Sequence, residues 1–254
     1  MPEDPTITTA AIVTGASRGL GQALAVGLMG PHTQLITVSR SHDDILAEHA
    51  EATGCALWQA RIDLSDVQAA ETGARQIMAR LHGSAQRYIL INNAGTVDPV
   101  CRASDLSSAR QISAAFSLNV FSVMLLSAAF LNATKSLNAD RRILNISSGA
   151  GRNPTAGWGV YCATKAAVDR YSQVLDTEQH GVKIAALAPG VIDTRMQEHI
   201  RSRDPADFPD LNRFIKLHEQ SKLPSADAVA ARILRYLDSD DFGATVLDDI
   251  RNYP

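Results

Sequence analysis

Cysteine is scarce in this 254-residue chain. Cys55, Cys101 and Cys162 are odd in number and far apart, so they offer neither a disulfide framework nor the paired spacing of a metal site. A strong charge of either sign is also missing. The net charge is −3, without the basic excess that nucleic-acid binding needs. The first ten residues lack a basic-then-apolar leader. No run of apolar residues reaches the ~20 needed to cross a bilayer. The expectation is a cytoplasmic chain with no nucleic-acid and no membrane partner. There is no internal repeat, low-complexity tract or interdomain linker. At 45% hydrophobic, the chain can bury both faces of a central sheet in one domain spanning residues 1–254.

What is present is a regular alternation. Apolar, β-branched runs at Ile7–Val13, Gln34–Val38, Ala56–Arg61, Tyr88–Asn92, Arg142–Ile146, Lys183–Ala188 and near Ala244–Leu247 read as strands. Helical patterns lie between them at Leu20–Met29, Asp43–Ala52, Val67–Leu81, Leu106–Phe116, Val120–Lys135, Tyr161–Glu178 and Ala226–Leu237. The alternation predicts an α/β, doubly wound parallel sheet, Rossmann-like, of about seven strands with helices on both faces. Ligands in such sheets bind beyond the carboxyl ends of the strands, at the switch point. Residues 195–224 break the pattern. They are charged and carry Pro205, Pro209 and Pro224. An insertion with a short helix is expected there, either a lid over a substrate or a solvated excursion.

Gly15, Gly19 and Gly21 fall at the first strand-to-helix junction. Glycine there allows positive φ and close approach to the backbone. A helix N-terminus following it offers free N–H donors to a pyrophosphate. The spacing Gly-x-x-x-Gly-x-Gly differs from the common dinucleotide fingerprint, and an ordinary glycine-rich turn would look alike.

Tyr161 and Lys165 are four residues apart, on one face of a helix, with Ser148 thirteen residues upstream of Tyr161. A phenol titrates near pH ~10 when unperturbed, and an adjacent ammonium lowers it. With a serine hydroxyl to hold a carbonyl oxygen, the three residues suit proton exchange with a carbonyl or alcohol. By itself the pair is also compatible with an unremarkable surface helix.

Taken together the motifs resemble the short-chain dehydrogenase/reductase family. The resemblance rests on Thr14–Gly21, Asn92-Asn93-Ala94-Gly95, Asn119, Asn145-Ile146-Ser147-Ser148, Tyr161-x-x-x-Lys165 and Pro189-Gly190-Val191-Ile192-Asp193-Thr194, in the family's order over nearly the whole chain. Within the family, Gly157–Ala167 and Pro189–Gln197 are most similar to sepiapterin reductases and the related benzil reductases. The resemblance implies Asn119, Ser148, Tyr161 and Lys165 as catalytic residues. Ser148 would bind the carbonyl, Tyr161 would protonate it, Lys165 would bind the nicotinamide ribose and keep the tyrosine pKa low, and Asn119 would kink its helix and hold a water leading to Lys165. It further implies a cofactor site of Gly15, Ser17, Arg18, Gly19, Leu20, Gly21, Asn93, Ala94, Gly95, Tyr161, Lys165, Pro189, Gly190, Val191, Ile192 and Thr194. Asp63 and Leu64 resemble the adenine contact, although Asp63 would serve equally as a helix cap.

The second strand ends Val38-Ser39-Arg40. An acid at its end selects NAD through the ribose 2′-OH, whereas arginine accommodates a 2′-phosphate. Ser39 stands where the acid would be, and Arg40 with Arg18 can fork a phosphate. NADP(H) is therefore the expected cofactor. The expected substrate is a small carbonyl compound, an aromatic ketone, α-diketone or pterin side-chain ketone, with Trp158 and Met196 as pocket residues. Trp158 would do equally well as loop packing. Sepiapterin reductases anchor the pterin with an aspartate whose place falls on Leu247, with Asp248 and Asp249 out of register, so pterin is not favoured over a diketone. Oxidation of a secondary alcohol uses the same residues in reverse, and a non-catalytic NADP(H) sensor is the alternative of a different class. The resemblance also implies a homodimer or homotetramer built on the helices after Asn119 and Ser148; apolar residues on more than one side of Val120–Lys135 fit that.

Overall fold

Seven parallel strands, in the order β3-β2-β1-β4-β5-β6-β7, form the centre of the computed structural model, which describes residues 6–253. They are β1 (Thr9–Thr14), β2 (Thr33–Ser39), β3 (Ala56–Arg61), β4 (Arg87–Asn92), β5 (Asp140–Ile146), β6 (Lys183–Ala188) and β7 (Leu247–Asp249). The helices are α1 (Gly19–Leu28), α2 (Asp44–Thr53), α3 (Val67–Ala79), α4 (Ala109–Phe116), α5 (Ser122–Thr134), α6 (Gly159–Thr177), α7 (Arg195–Arg201), α8 (Leu211–Glu219) and α9 (Ala226–Asp238). The chain winds outward from β1 to β3, then crosses back to place β4 on the other side of β1. That reversal opens the crevice between β1 and β4 beyond the strand ends.

Side-chain alternation assigns the two faces. Ala11, Val13, Leu35, Ile89, Ile91, Leu144 and Leu187 point to one side, where Leu24 of α1, Leu46 of α2 and Ile233 of α9 cover them. Ala10, Ile12, Ile36, Val38, Leu90 and Ile143 point to the other, against Ala74 and Ile77 of α3, Leu126 and Phe130 of α5 and Leu175 of α6. Strands buried on both faces are what continuous β-branched runs produce.

The structure corrects the sequence expectations at several places. The seventh strand starts at Leu247 rather than near Ala244, because Gly243, at φ +81°, turns against the backbone of Ile184 and the first ladder bond is Ala186 N to Val246 O at 2.7 Å. The fourth helix starts three residues late, at Ala109, where Ser108 caps it by accepting from Gln111 N at 3.3 Å. From Ala109 to Thr134 the helix runs on through a π-helical turn, Ser117–Phe121. By length and composition this run is enough to cross a membrane, contrary to expectation; half of its most apolar stretch is buried inside the fold.

Residues 195–224 hold two helices, α7 and α8, rather than one. Ile200, Phe208, Leu211 and Phe214 are buried in a third apolar cluster with Val97, Val100, Ala150, Trp158 and Tyr161. Gly157, at φ +86°, lets the Asp207 carbonyl come so close that a Cβ would stand 2.3 Å from it. Asp98 ties the segment down from the β4–α4 connection, accepting from Arg203 Nη2 at 2.9 Å and lying 2.9 Å from His199 Nε2. Phe208 is fully buried, so Phe208→Ala should lower stability by about 3–5 kcal/mol, measured by urea denaturation. A loss below about 1 kcal/mol would mean that this segment is not part of the core.

Candidate active site

Thr14, the last residue of β1, ties the crevice together. Its Oγ1 accepts from the backbone N–H groups of Asn93 and Ala94 at 3.0 Å each. The Asn93 side chain returns the contact, donating to Thr14 O at 3.0 Å and Gly15 O at 3.2 Å. Gly15 then turns at φ +67°, and Gly21 packs so tightly under it that a Cβ would lie 2.2 Å from Gly15 O. Helix α1 starts here with an extended Arg18, no side-chain cap and no acid in its first turn. Its N–H groups and positive dipole end are thus left for an anionic ligand such as a dinucleotide pyrophosphate. Across the crevice a Cβ on Gly19 would meet the Thr194 methyl at 3.4 Å, so the 189–194 turn closes over the glycine turn.

The remaining cofactor residues of the sequence analysis distribute around this turn. Arg18 and Arg40 are exposed and Ser17 is half-buried. Leu20 and Leu64 are buried in the core, leaving only their backbone for a ligand. The choice left open for Asp63 resolves against a helix cap: Asp66 caps α3, accepting from Ala69 N at 3.0 Å, while Asp63 accepts from Ser65 N at 3.0 Å and Ser65 Oγ at 2.7 Å. Those bonds, chiefly the serine hydroxyl, hold its carboxyl below the usual range, and the Arg40 charge adds to the effect.

Beyond β5, Ser148 faces the crevice, its Oγ accepting from Ala150 N at 3.2 Å. Tyr161 and Lys165 approach from α6 and are only 8% and 5% exposed. The Lys165 ammonium donates to Ile146 O at 2.7 Å. It lies 5.8 Å from the centre of the Tyr161 ring. The expected lowering of the tyrosine pKa is not found: burial pushes the phenol up, opposed by a hydrogen bond with Ser148. Tyr161 is therefore a protonated phenol at neutral pH. Burial has the opposite effect on the amine and lowers Lys165 to about 8, with the Asp169 carboxylate resisting.

Asn119 sits in the π turn, 1% exposed. Its Oδ1 accepts from Thr96 N at 2.9 Å, and Nδ2 donates to Thr96 O at 2.8 Å and Thr164 Oγ1 at 3.0 Å. A π turn in a helix commonly marks a functional position. A Cβ on Gly95 would lie 3.3 Å from Asn119 Oδ1 and 3.8 Å from Lys165 Nζ, so the ends of β4, the π turn and α6 meet at one glycine.

Trp158 is buried, edge-on to Tyr161 at 5.3 Å and stacked on Phe208 at 4.8 Å, with Phe214 at 5.4 Å. Its Nε1–H has no protein partner. Met196 is exposed on α7. Phe208 and Phe214 were not anticipated from sequence; the apolar spacing Phe208, Leu211, Phe214, Ile215 is the signal that marks them. The C-terminal acids are engaged elsewhere. Asp248 is buried and accepts from Asn252 Nδ2 at 3.0 Å and from the Tyr253 hydroxyl, while Asp249 binds Arg251 Nε at 2.8 Å. Among the described residues no group of three or more His, Cys, Asp or Glu is disposed to hold a metal ion.

Comparison with known proteins agrees with this arrangement. The family model described as short chain dehydrogenase matches residues 9–205. The chain is 39% identical to a benzil reductase ((S)-benzoin forming) from Bacillus cereus, over 91% of this chain and 94% of that one. It is 34% identical to the sepiapterin reductase of Rattus norvegicus, over 91% and 92% of the two chains. The crystal structure of the KRED1-Pglu enzyme superposes with a TM-score of 0.79 at 27% identity, covering 92% of this chain and 98% of that one. With the glycine turn, the buried Tyr161–Lys165 pair and the π-turn asparagine in place, the chain belongs to the short chain dehydrogenase family of oxidoreductases.

Proposed function

We propose that this protein reduces a small aromatic ketone or α-diketone to the alcohol, with NADP(H) as cofactor and Tyr161 as proton donor. The observation that carries the reading is the meeting of Ser148, Tyr161, Lys165 and Asn119 at the carboxyl ends of β4 and β5, beside an uncapped α1. A nicotinamide cofactor bound over the glycine turn supplies the hydride. The chain's own residues do the rest. Ser148 Oγ donates to the substrate carbonyl oxygen, and Tyr161 delivers the proton to that same oxygen. Lys165, charged below about pH 8, holds the ribose hydroxyls. Asn119 keeps one Oδ1 lone pair beyond its bond to Thr96, enough to seat a water on the way to Lys165.

The substrate class is supported by Trp158, which stands edge-on to Tyr161 at 5.3 Å and gives the surroundings of the phenol an aromatic character. Engagement of Asp248 and Asp249 by Asn252, Tyr253 and Arg251 weighs against a pterin, which would need a free carboxylate there. Residues 195–224, with Met196 at their start, act in this reading as the lid of the pocket. The benzil reductase of Bacillus cereus provides a relative with a matching substrate.

Replacing Tyr161 by Phe should cut the NADPH-dependent rate by about 10²–10⁴-fold and leave NADPH binding intact. Retention of most of the rate would remove Tyr161 as the donor. Arg40→Ala should cost NADPH about 1.5–3 kcal/mol of binding and leave NADH unaffected, read from the ratio of their dissociation constants; an unchanged ratio would assign the 2′-phosphate elsewhere. Phe121 and Met124 on the π turn and α5, and Val174 on α6, are exposed apolar residues, which supports self-association through these helices. Light scattering should give a dimer or tetramer at micromolar concentration, and a monomer would reject that assembly.

A further inference from the structure

Asp169 lies one helical turn beyond Lys165 on α6 and is 4% exposed. A carboxylate in that position needs a partner for each oxygen, and both have one. Oδ1 accepts from Ser147 Oγ in a short bond, and Oδ2 accepts from Arg152 Nε at 3.1 Å. Arg152 spends its other nitrogens on Asp248 O and Ala186 O, at 3.0 Å each. The acid is thus fixed by the residue just before Ser148, by the turn just after it, and through Arg152 by β6 and β7. The reduction chemistry itself calls on none of Asp169, Ser147 and Arg152.

We propose that Asp169 is a positioning residue for Lys165: a carboxylate anchored in the core, one turn from the ammonium, keeps that lysine charged. The role rests on Lys165 being the working lysine of the proposed reductase. The need for such a group follows from the surroundings of Nζ. Its hydrogen-bond partner is one neutral carbonyl, Ile146 O, which does not replace the water lost on burial. The charged and titratable groups nearby are few. On α6 they are Tyr161, Cys162 and Asp169; Arg152 stands after Ser148; β7 brings Asp248 and Asp249, bound to Asn252, Tyr253 and Arg251; the π turn offers the uncharged Asn119. Of these, Asp169 is the anion that counters the burial of Lys165. Without it the amine loses its proton at a lower pH. Ribose binding, which needs the ammonium, then fails at a lower pH as well.

The test is a titration of the ε-carbon resonances of 13C-labelled lysine in the intact protein. Five lysines are present, and the signal lost in Lys165→Arg identifies Lys165. The wild-type midpoint is expected near 8. Asp169→Asn should lower it by about one pH unit, Asp169→Glu should restore it, and Ser147→Ala, which keeps the charge, should leave it in place. An Asp169→Asn midpoint equal to wild type overturns the proposal. Should that variant not fold, Arg152→Gln carries the test with opposite sign: removing the cation that offsets Asp169 should raise the Lys165 midpoint, and no change or a fall overturns it. The alkaline limb of NADPH binding should shift together with the lysine midpoint in each variant, and a limb that stays put while the midpoint moves also counts against the role. The NMR readout needs neither cofactor nor substrate, so a failure of carbonyl reduction and a failure of this role are separately visible.

Discussion

Lys165 donates to the carbonyl of Ile146, and this bond between a buried ammonium and the last residue of β5 fixes α6 against the carboxyl end of the sheet. The proposed chemistry depends on where it pins the helix. One turn earlier on α6, Tyr161 comes to lie beside Ser148, which follows Ile146 by two residues. One turn later, Asp169 reaches Ser147 and Arg152. A charged amine withdrawn from water is costly unless neighbours compensate it, so the arrangement needs the carbonyl and the Asp169 charge together.

The glycine turn is built on a different constraint, room rather than charge. Gly15 and Gly21 leave no space for a side chain between them, and Asn93 holds the turn from β4. The outcome is a helix start with unused N–H groups at the sheet's switch point. The two regions share β4: its end holds the glycine turn through Asn93 and, two residues on, leaves Gly95 with no side chain where Asn119 and Lys165 come close.

Much of this was legible in the sequence. Buried strands announce themselves as β-branched runs, and six of the seven were found within about two residues, the usual uncertainty of such boundaries. The tight turn at Gly15 and Gly21 and the placing of Tyr161 and Lys165 on one helical face were legible because each rests on local geometry. What was not legible depends on residues distant in the chain. Asp169 meets Arg152 and Ser147 only once α6 packs on β5, seventeen and twenty-two positions away. Phe208 and Phe214 lie in a proline-containing stretch whose helix α8 is amphipathic but short. The tyrosine pKa was expected to fall because a nearby cation is visible in sequence; it rises because burial, supplied by Trp158 and α8 from outside the motif, is the larger effect.

In the proposed reaction a buried phenol beside Lys165 protonates a carbonyl. The most direct test is to incubate the protein with NADPH and an aryl α-diketone, following the absorbance of the reduced cofactor and the formation of hydroxyketone. One hydroxyketone should form per NADPH consumed. Tight NADPH binding with no consumption across aryl diketones and aromatic ketones would contradict it.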